Sequence, residues 1–238
     1  GFATGLKLVH TMFRPKRPSK TLLFDLHALT RLFHLNKDIF IRTLCLMATF
    51  AYFTSAGSRL GTTVVAANAI LLNMHQFIAC SLDGFAIACE VMVGRAIGKK
   101  DKQALIHAIK ACGLFALLVS LLLSLFYFIA GDALIRLMTS LPNVIHTAHA
   151  YLIWIILLPL LSVGGFLLDG VFIGATWSKP MRNTMLFSTL VIYVPSVFLL
   201  HRLGNTGLWL AFCLFMLARG ISLAWVLSKK LDCFDRAV

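Results

Sequence analysis

Six apolar runs constrain this chain more than any other feature. They cover residues 39–57, 64–93, 104–130, 150–176, 183–200 and 208–227. Each approaches or exceeds the ~20 residues a helix needs to cross a bilayer. A chain in hydrocarbon must satisfy its own backbone hydrogen bonds, so each run is read as a helix. Composition agrees: 59% of residues are hydrophobic and the mean hydropathy is +0.87, against roughly 45–50% apolar residues in soluble domains. The expected fold is an all-α integral membrane protein, a six-transmembrane-helix bundle in contact with lipid.

The formal charge of +13 would point a soluble protein toward nucleic acid. Here the basic residues cluster in alternate connections, so membrane orientation explains them and no nucleic-acid partner is expected. Lys7, Arg14, Lys16, Arg17, Lys20, Arg31 and Lys37 precede the first run. Arg95, Lys99, Lys100 and Lys102 follow the second, Lys179 and Arg182 follow the fourth, and Lys229, Lys230 and Arg236 follow the sixth. The other three connections hold only Arg59, Arg136 and Arg202. The positive-inside rule then places both ends in the cytoplasm.

Within 64–98 the apolar sequence carries Asn73, Gln76, Asp83 and Glu90. Seven residues are two helical turns less about 20°, so Asn73, Gln76, Cys80, Asp83, Ile87 and Glu90 form one stripe. A charged side chain at the bilayer centre is unfavourable by roughly 2.5–3.5 kcal/mol on insertion scales. The stripe is therefore expected to face protein or an aqueous cavity. Asn73 and Gln76 are candidate substrate contacts, and Glu90, nearer the basic end, is a candidate gate or ion-pair acid.

Other spans contribute fewer candidates. Asp38 and Arg42, four apart, are spaced to pair, and Arg182 stands at a neighbouring basic end. Tyr52, Tyr151, Trp154 and Phe172 are candidate aromatic contacts for a cationic compound. Pro159 and Gly164-Gly165 predict a bent, loosened fourth span. Residues 131–149 read as a short helix and loop at the opposite surface. The six cysteines lack metal or disulfide spacing. His146 and His149 share a helix face without an evident third ligand, so no metal site and no cofactor are expected. No hydrolase motif occurs, and no catalytic residue is assigned.

Leu82-Asp-Gly-Phe-Ala-Ile-Ala88 is echoed by Leu168-Asp-Gly-Val-Phe-Ile-Gly174. Both place Asp-Gly deep in a helix that continues to a basic end, either by coincidence or as a weak repeat of the kind transporter folds contain. Asp83 and Asp169 are the acids furthest from any expected surface.

These motifs, in this order, resemble a known family. Asn36-Lys-Asp-Ile-Phe-Ile-Arg-Thr43, Leu82-Asp-Gly-Phe-Ala-Ile-Ala-Cys-Glu90 and Gly94-Arg-Ala-Ile-Gly98 are followed by Tyr151-Leu-Ile-Trp154, Leu168-Asp-Gly-Val-Phe-Ile-Gly-Ala-Thr176 and Met181-Arg-Asn183. Leu208-Trp-Leu-Ala211 and Arg219-Gly-Ile-Ser-Leu223 complete the set. The sequence resembles the C-terminal half of multidrug and toxic compound extrusion (MATE) transporters of the DinF-like branch. The resemblance implies one lobe of a twelve-helix antiporter of the inner membrane. Such antiporters export organic, often cationic or amphipathic, compounds in exchange for protons or sodium. It also implies a missing N-terminal lobe as partner, and coupling acids among Asp83, Asp169 and Glu90. Residues 1–37 are read as the end of a preceding helix and a basic cytoplasmic connection with an amphipathic helix, 38–230 as the lobe, and 231–238 as a cytoplasmic tail. The alternatives are a lipid-linked oligosaccharide flippase of the same superfamily and a non-transporting membrane scaffold.

Overall fold

The structure, a computed structural model, describes the backbone of residues 26–234 and the side chains of residues 36–231. The expected helix end at 1–9, the Pro-bounded basic connection at 14–18 and the last residues of the tail lie outside these. The chain divides into two compact units, Gly1–Lys37 and Asp38–Val238, and the second carries the features below.

The helices are α1 (Leu26–Ser58), α2 (Thr62–Gly98), α3 (Lys102–Met138), α4 (Pro142–Gly174), α5 (Ser178–Phe187), α6 (Val194–Leu199) and α7 (Gly204–Phe234). A π-helical segment, Ser188–Tyr193, joins α5 to α6, and a 3₁₀ turn, His201–Leu203, leads into α7. Among the described residues, six stretches are long and apolar enough to cross a membrane, with α5, the π segment and α6 forming one of them. The connections are tight. Asp101 caps α3 through its side chain, which accepts from the Ala104 N–H at 2.9 Å, and Pro142 opens α4 where a missing N–H costs nothing.

Two expectations about element boundaries are corrected. No separate helix and loop occupies 131–149: α3 runs to Met138 and α4 starts at Pro142. Residues 131–138 are apolar enough to extend the helix, and only Pro142 stops it from continuing. The fifth span is not one regular helix. Pro195 has no N–H and its ring crowds the preceding turn, and the chain upstream widens into the π segment.

Helix α4 is the hub and packs against α2, α3 and α7. Glycine makes two of these approaches close. A Cβ on Gly170 would fall 2.1 Å from the Ala86 carbonyl oxygen, and one on Gly174 would fall 2.3 Å from that of Glu90. Four residues advance each helix in the same direction, so α2 and α4 run parallel in backbone contact, as small residues permit in membranes. Gly164 and Gly165 do not loosen α4. They seat it against Gly220 of α7, where a Cβ on Gly220 would lie 3.2 Å from the Gly165 nitrogen.

The apolar interior has two parts. One gathers Phe53, Leu71, Ile78, Trp209, Phe212 and Phe215; the other gathers Cys89, Val93, Leu105, Val171, Phe172 and Leu223. On α2, α4 and α7 the seam between them falls near residues 83, 169 and 219.

Candidate functional site

The seam is where the deep charges meet. Asp169 of α4 is buried, and its Oδ2 accepts from both Arg42 of α1 and Arg219 of α7. Arg219 is 2% exposed, and its guanidinium lies 5.1 Å from the centroid of the Phe166 ring. The arginine stem packs beside Gly165, where a Cβ would lie 3.6 Å away in ordinary van der Waals contact. Asp169 Oδ1 and the Nε atoms of both arginines have no hydrogen-bond partner. The triad alone carries one excess positive charge.

Asp83 supplies the balance. It interacts electrostatically with Arg219, Asp169 and Arg42, and when ionised it brings the four charges to zero. The two echoed Asp-Gly pairs thus sit at similar depth on parallel helices with opposite facings. Asp169 points into the bundle, and Gly170 bears on α2. Asp83 is on the exposed face of α2, and a Cβ on Gly84 would meet nothing within 4 Å.

Asn73, Gln76, Cys80 and Asp83 all lie on this exposed face, while Met74, His75, Ile78, Leu82 and Ala86 are buried on the opposite one. Gln76 makes one weak contact, its Nε2 lying 3.5 Å from Cys80 Sγ. Glu90 is half-buried and forms no ion pair among the described residues, so its expected pairing with a nearby base is absent.

Three other expectations change. Arg42 does not pair with Asp38. It reaches Asp169 instead, and Asp38 binds Arg182 Nη1 at 2.6 Å and the Ser178 hydroxyl at 2.9 Å. This second cluster ties α1 to α5. Asp169 is buried, and among the described residues two guanidinium groups and the surrounding core enclose it. Phe172 is fully buried and makes a T-shaped contact with Trp177 at 5.8 Å, so it is a core residue in this structure.

The remaining aromatics are spread out. Tyr151 and Trp154 are half-buried against the first core. Tyr52 is 44% exposed and stacks edge-on with Tyr193 at 6.2 Å. It borders a cleft of about 240 Å³ with Thr49, Thr189 and Val197.

Some polar residues escaped the sequence reading. Asn68 and Asn205 exchange amide hydrogen bonds of 2.7 and 3.0 Å, and Trp209 Nε1 donates to Asn68 Oδ1 at 2.9 Å. His75 is buried between Phe50 and Phe212 with Nδ1 unpartnered. A usable signal existed for Arg219: a basic residue deep in an apolar run has to find a deep acid, and only two were available. Among the described residues no three His, Cys, Asp or Glu side chains converge as metal ligands.

Comparison with known proteins places this arrangement. The MatE family model matches residues 39–199. The chain is 42% identical over 194 residues to DNA damage-inducible protein F of Escherichia coli, covering 82% of this chain and 42% of that protein. It is 27% identical over 231 residues to a probable multidrug resistance protein NorM of Photorhabdus laumondii, covering 94% of this chain and 51% of the relative. The chain thus spans about half the length of these relatives. Among solved structures, the Vibrio cholerae MATE transporter VcmN in its bent form superposes with a TM-score of 0.83 at 19% identity, over 97% of this chain and 52% of that one. The eukaryotic MATE transporter AtDTX14 gives 0.83 at 14% identity, over 99% and 56%.

Proposed function

The chain belongs to the MatE family, and we propose that it forms the C-terminal lobe of an antiporter exporting organic, cationic or amphipathic compounds in exchange for protons or sodium. Both ends lie in the cytoplasm in this reading, and a second six-helix lobe faces α1 and α2. The observation that carries it is the exposed stripe of Asn73, Gln76 and Asp83 on a helix whose buried residues are apolar apart from Asn68 and His75. Lipid does not solvate such a face, so a water-filled cavity between lobes is its natural environment.

Charge gives the exchange rule. With Asp83 ionised the seam is neutral. A proton, a sodium ion or a cationic compound at Asp83 leaves the Arg42–Asp169–Arg219 triad's excess positive charge uncompensated. That charge opposes a second cation. Coupling ion and substrate then exclude one another at one carboxylate, and alternating access converts exclusion into exchange. An anionic lipid-linked cargo fits less well, because Arg42 and Arg219 are both committed to Asp169.

The test is export by the full-length parent in cells, at matched expression. Asp83→Asn is expected to abolish resistance to cationic compounds, and Asn73→Ala or Gln76→Ala to change which compounds are exported. Unchanged export by Asp83→Asn contradicts the assignment.

A further inference from the structure

A groove of about 820 Å³ opens between α5, the π segment and α7, with walls that include Pro180, Phe187, Ile192, Ile221 and Trp225. Its volume falls in the ~300–1,000 Å³ range of small-molecule sites. The walls are mainly apolar, with Asn183, Thr184 and Ser222 as their polar members, and no carboxylate borders them among the described residues.

One end of the groove is basic. Trp225 is 61% exposed, and Lys229 Nζ sits 3.5 Å from its ring centroid. Lys230, one turn beyond the wall residue Val226, lies over Trp177 at 5.6 Å. Lys179 is exposed beside Pro180. None of these three lysines has a carboxylate within ion-pairing distance among the described residues. Arg182, nearby, is already neutralised by Asp38. Among the described residues the positive charge at this end is therefore unpaired, and cation–π contacts hold two of the ammonium groups against the tryptophans.

We propose that this groove binds an anionic phospholipid, with one acyl chain along the apolar walls and the phosphate between Lys229 and Lys230. Tryptophan at the polar–apolar boundary and lysine just beyond it match the two zones of such a lipid. A transported cation is a poor occupant, because the groove offers it no acid and a basic mouth. The proposal uses only the chain's place in a membrane and does not depend on the transport reading.

Native mass spectrometry of the full-length parent with equal phosphatidylglycerol and phosphatidylethanolamine tests it. Wild type is expected to retain phosphatidylglycerol preferentially. Lys229→Gln/Lys230→Gln is expected to lower that retention about tenfold, juxtamembrane lysines each contributing severalfold. Ala218→Phe, which fills the groove and keeps both lysines, is expected to do the same. A second readout is tryptophan quenching in vesicles of acyl-brominated phosphatidylglycerol. The component lost in Trp225→Phe is expected to be quenched. Equal retention of both lipids, retention unaffected by either variant, or an unquenched Trp225 because protein covers the groove would each overturn the proposal.

Discussion

Removing the acid from the Arg42–Asp169–Arg219 triad is expected to harm the lobe far more than removing either base. The triad holds two guanidinium groups on one carboxylate oxygen. Asp169→Asn leaves the buried Arg219 and the partly buried Arg42 without the carboxylate that joins them, and only Asp83 on the exposed face of α2 for balance. Breaking a buried ion pair from one side costs about 3–5 kcal/mol. Arg219→Met does the opposite. It leaves a neutral Arg42–Asp169 pair, keeps most of the stem's packing on Gly165 and Phe166, and removes a charge that is 2% exposed. Removing one partner of a buried pair is costly when it strands the other charge, and here Asp169 keeps Arg42 as its partner. Arg42→Gln is milder still, because its side chain is already 15% exposed. The assay is thermal unfolding of the detergent-solubilised protein. At about 2–4 °C per kcal/mol for a domain this size, Asp169→Asn is expected to lower Tm by on the order of 10 °C, and Arg219→Met by a few degrees at most. The reverse order, or a fully stable Asp169→Asn, refutes the reasoning that the aspartate is the electrostatic keystone.

Further outcomes follow from the same geometry. Gly170→Ala and Gly174→Ala each force a methyl to within 2.1–2.3 Å of an α2 carbonyl oxygen, and each is expected to destabilise by at least the ~1–3 kcal/mol of an overpacked core. Gly84→Ala, in the matching echo, meets open space, and its better helix propensity is expected to leave Tm unchanged or slightly raised. Asn68→Ala strands the Asn205 amide and the Trp209 N–H. A loss of about 1–3 kcal/mol is expected, with a shift in tryptophan emission as the check.

Most of the fold could be read from the sequence because a membrane leaves few choices. Apolar runs have to be helices, and alternating basic connections set their number. The sequence was weaker where helix ends depend on one residue. The run through 131–138 looked only moderately apolar, yet nothing in it breaks a helix. Pro195 marked a disturbance without revealing that the backbone would widen upstream of it. The stripe on α2 was legible because a single helix carries it. Arg42, Asp169 and Arg219 come from three helices, 127 and 50 residues apart along the chain. Periodicity within one helix cannot report which distant helix will face it. Phe172 illustrates the same limit. Three residues from Asp169 on α4, it is buried in the core with that acid.

The central claim is that the α2 stripe faces water in the middle of the membrane, and the wild-type chain carries its own probe. Cys80 lies on the stripe between Gln76 and Asp83 and is exposed, whereas Cys89, Cys112 and Cys213 are buried and Cys45 is half-buried. A membrane-impermeant thiol reagent applied to the full-length parent in native membranes is expected to modify Cys80. The modification should disappear in Cys80→Ser and slow when a transported cation is present. Labelling that is identical in wild type and Cys80→Ser would show the stripe closed to water and contradict the account.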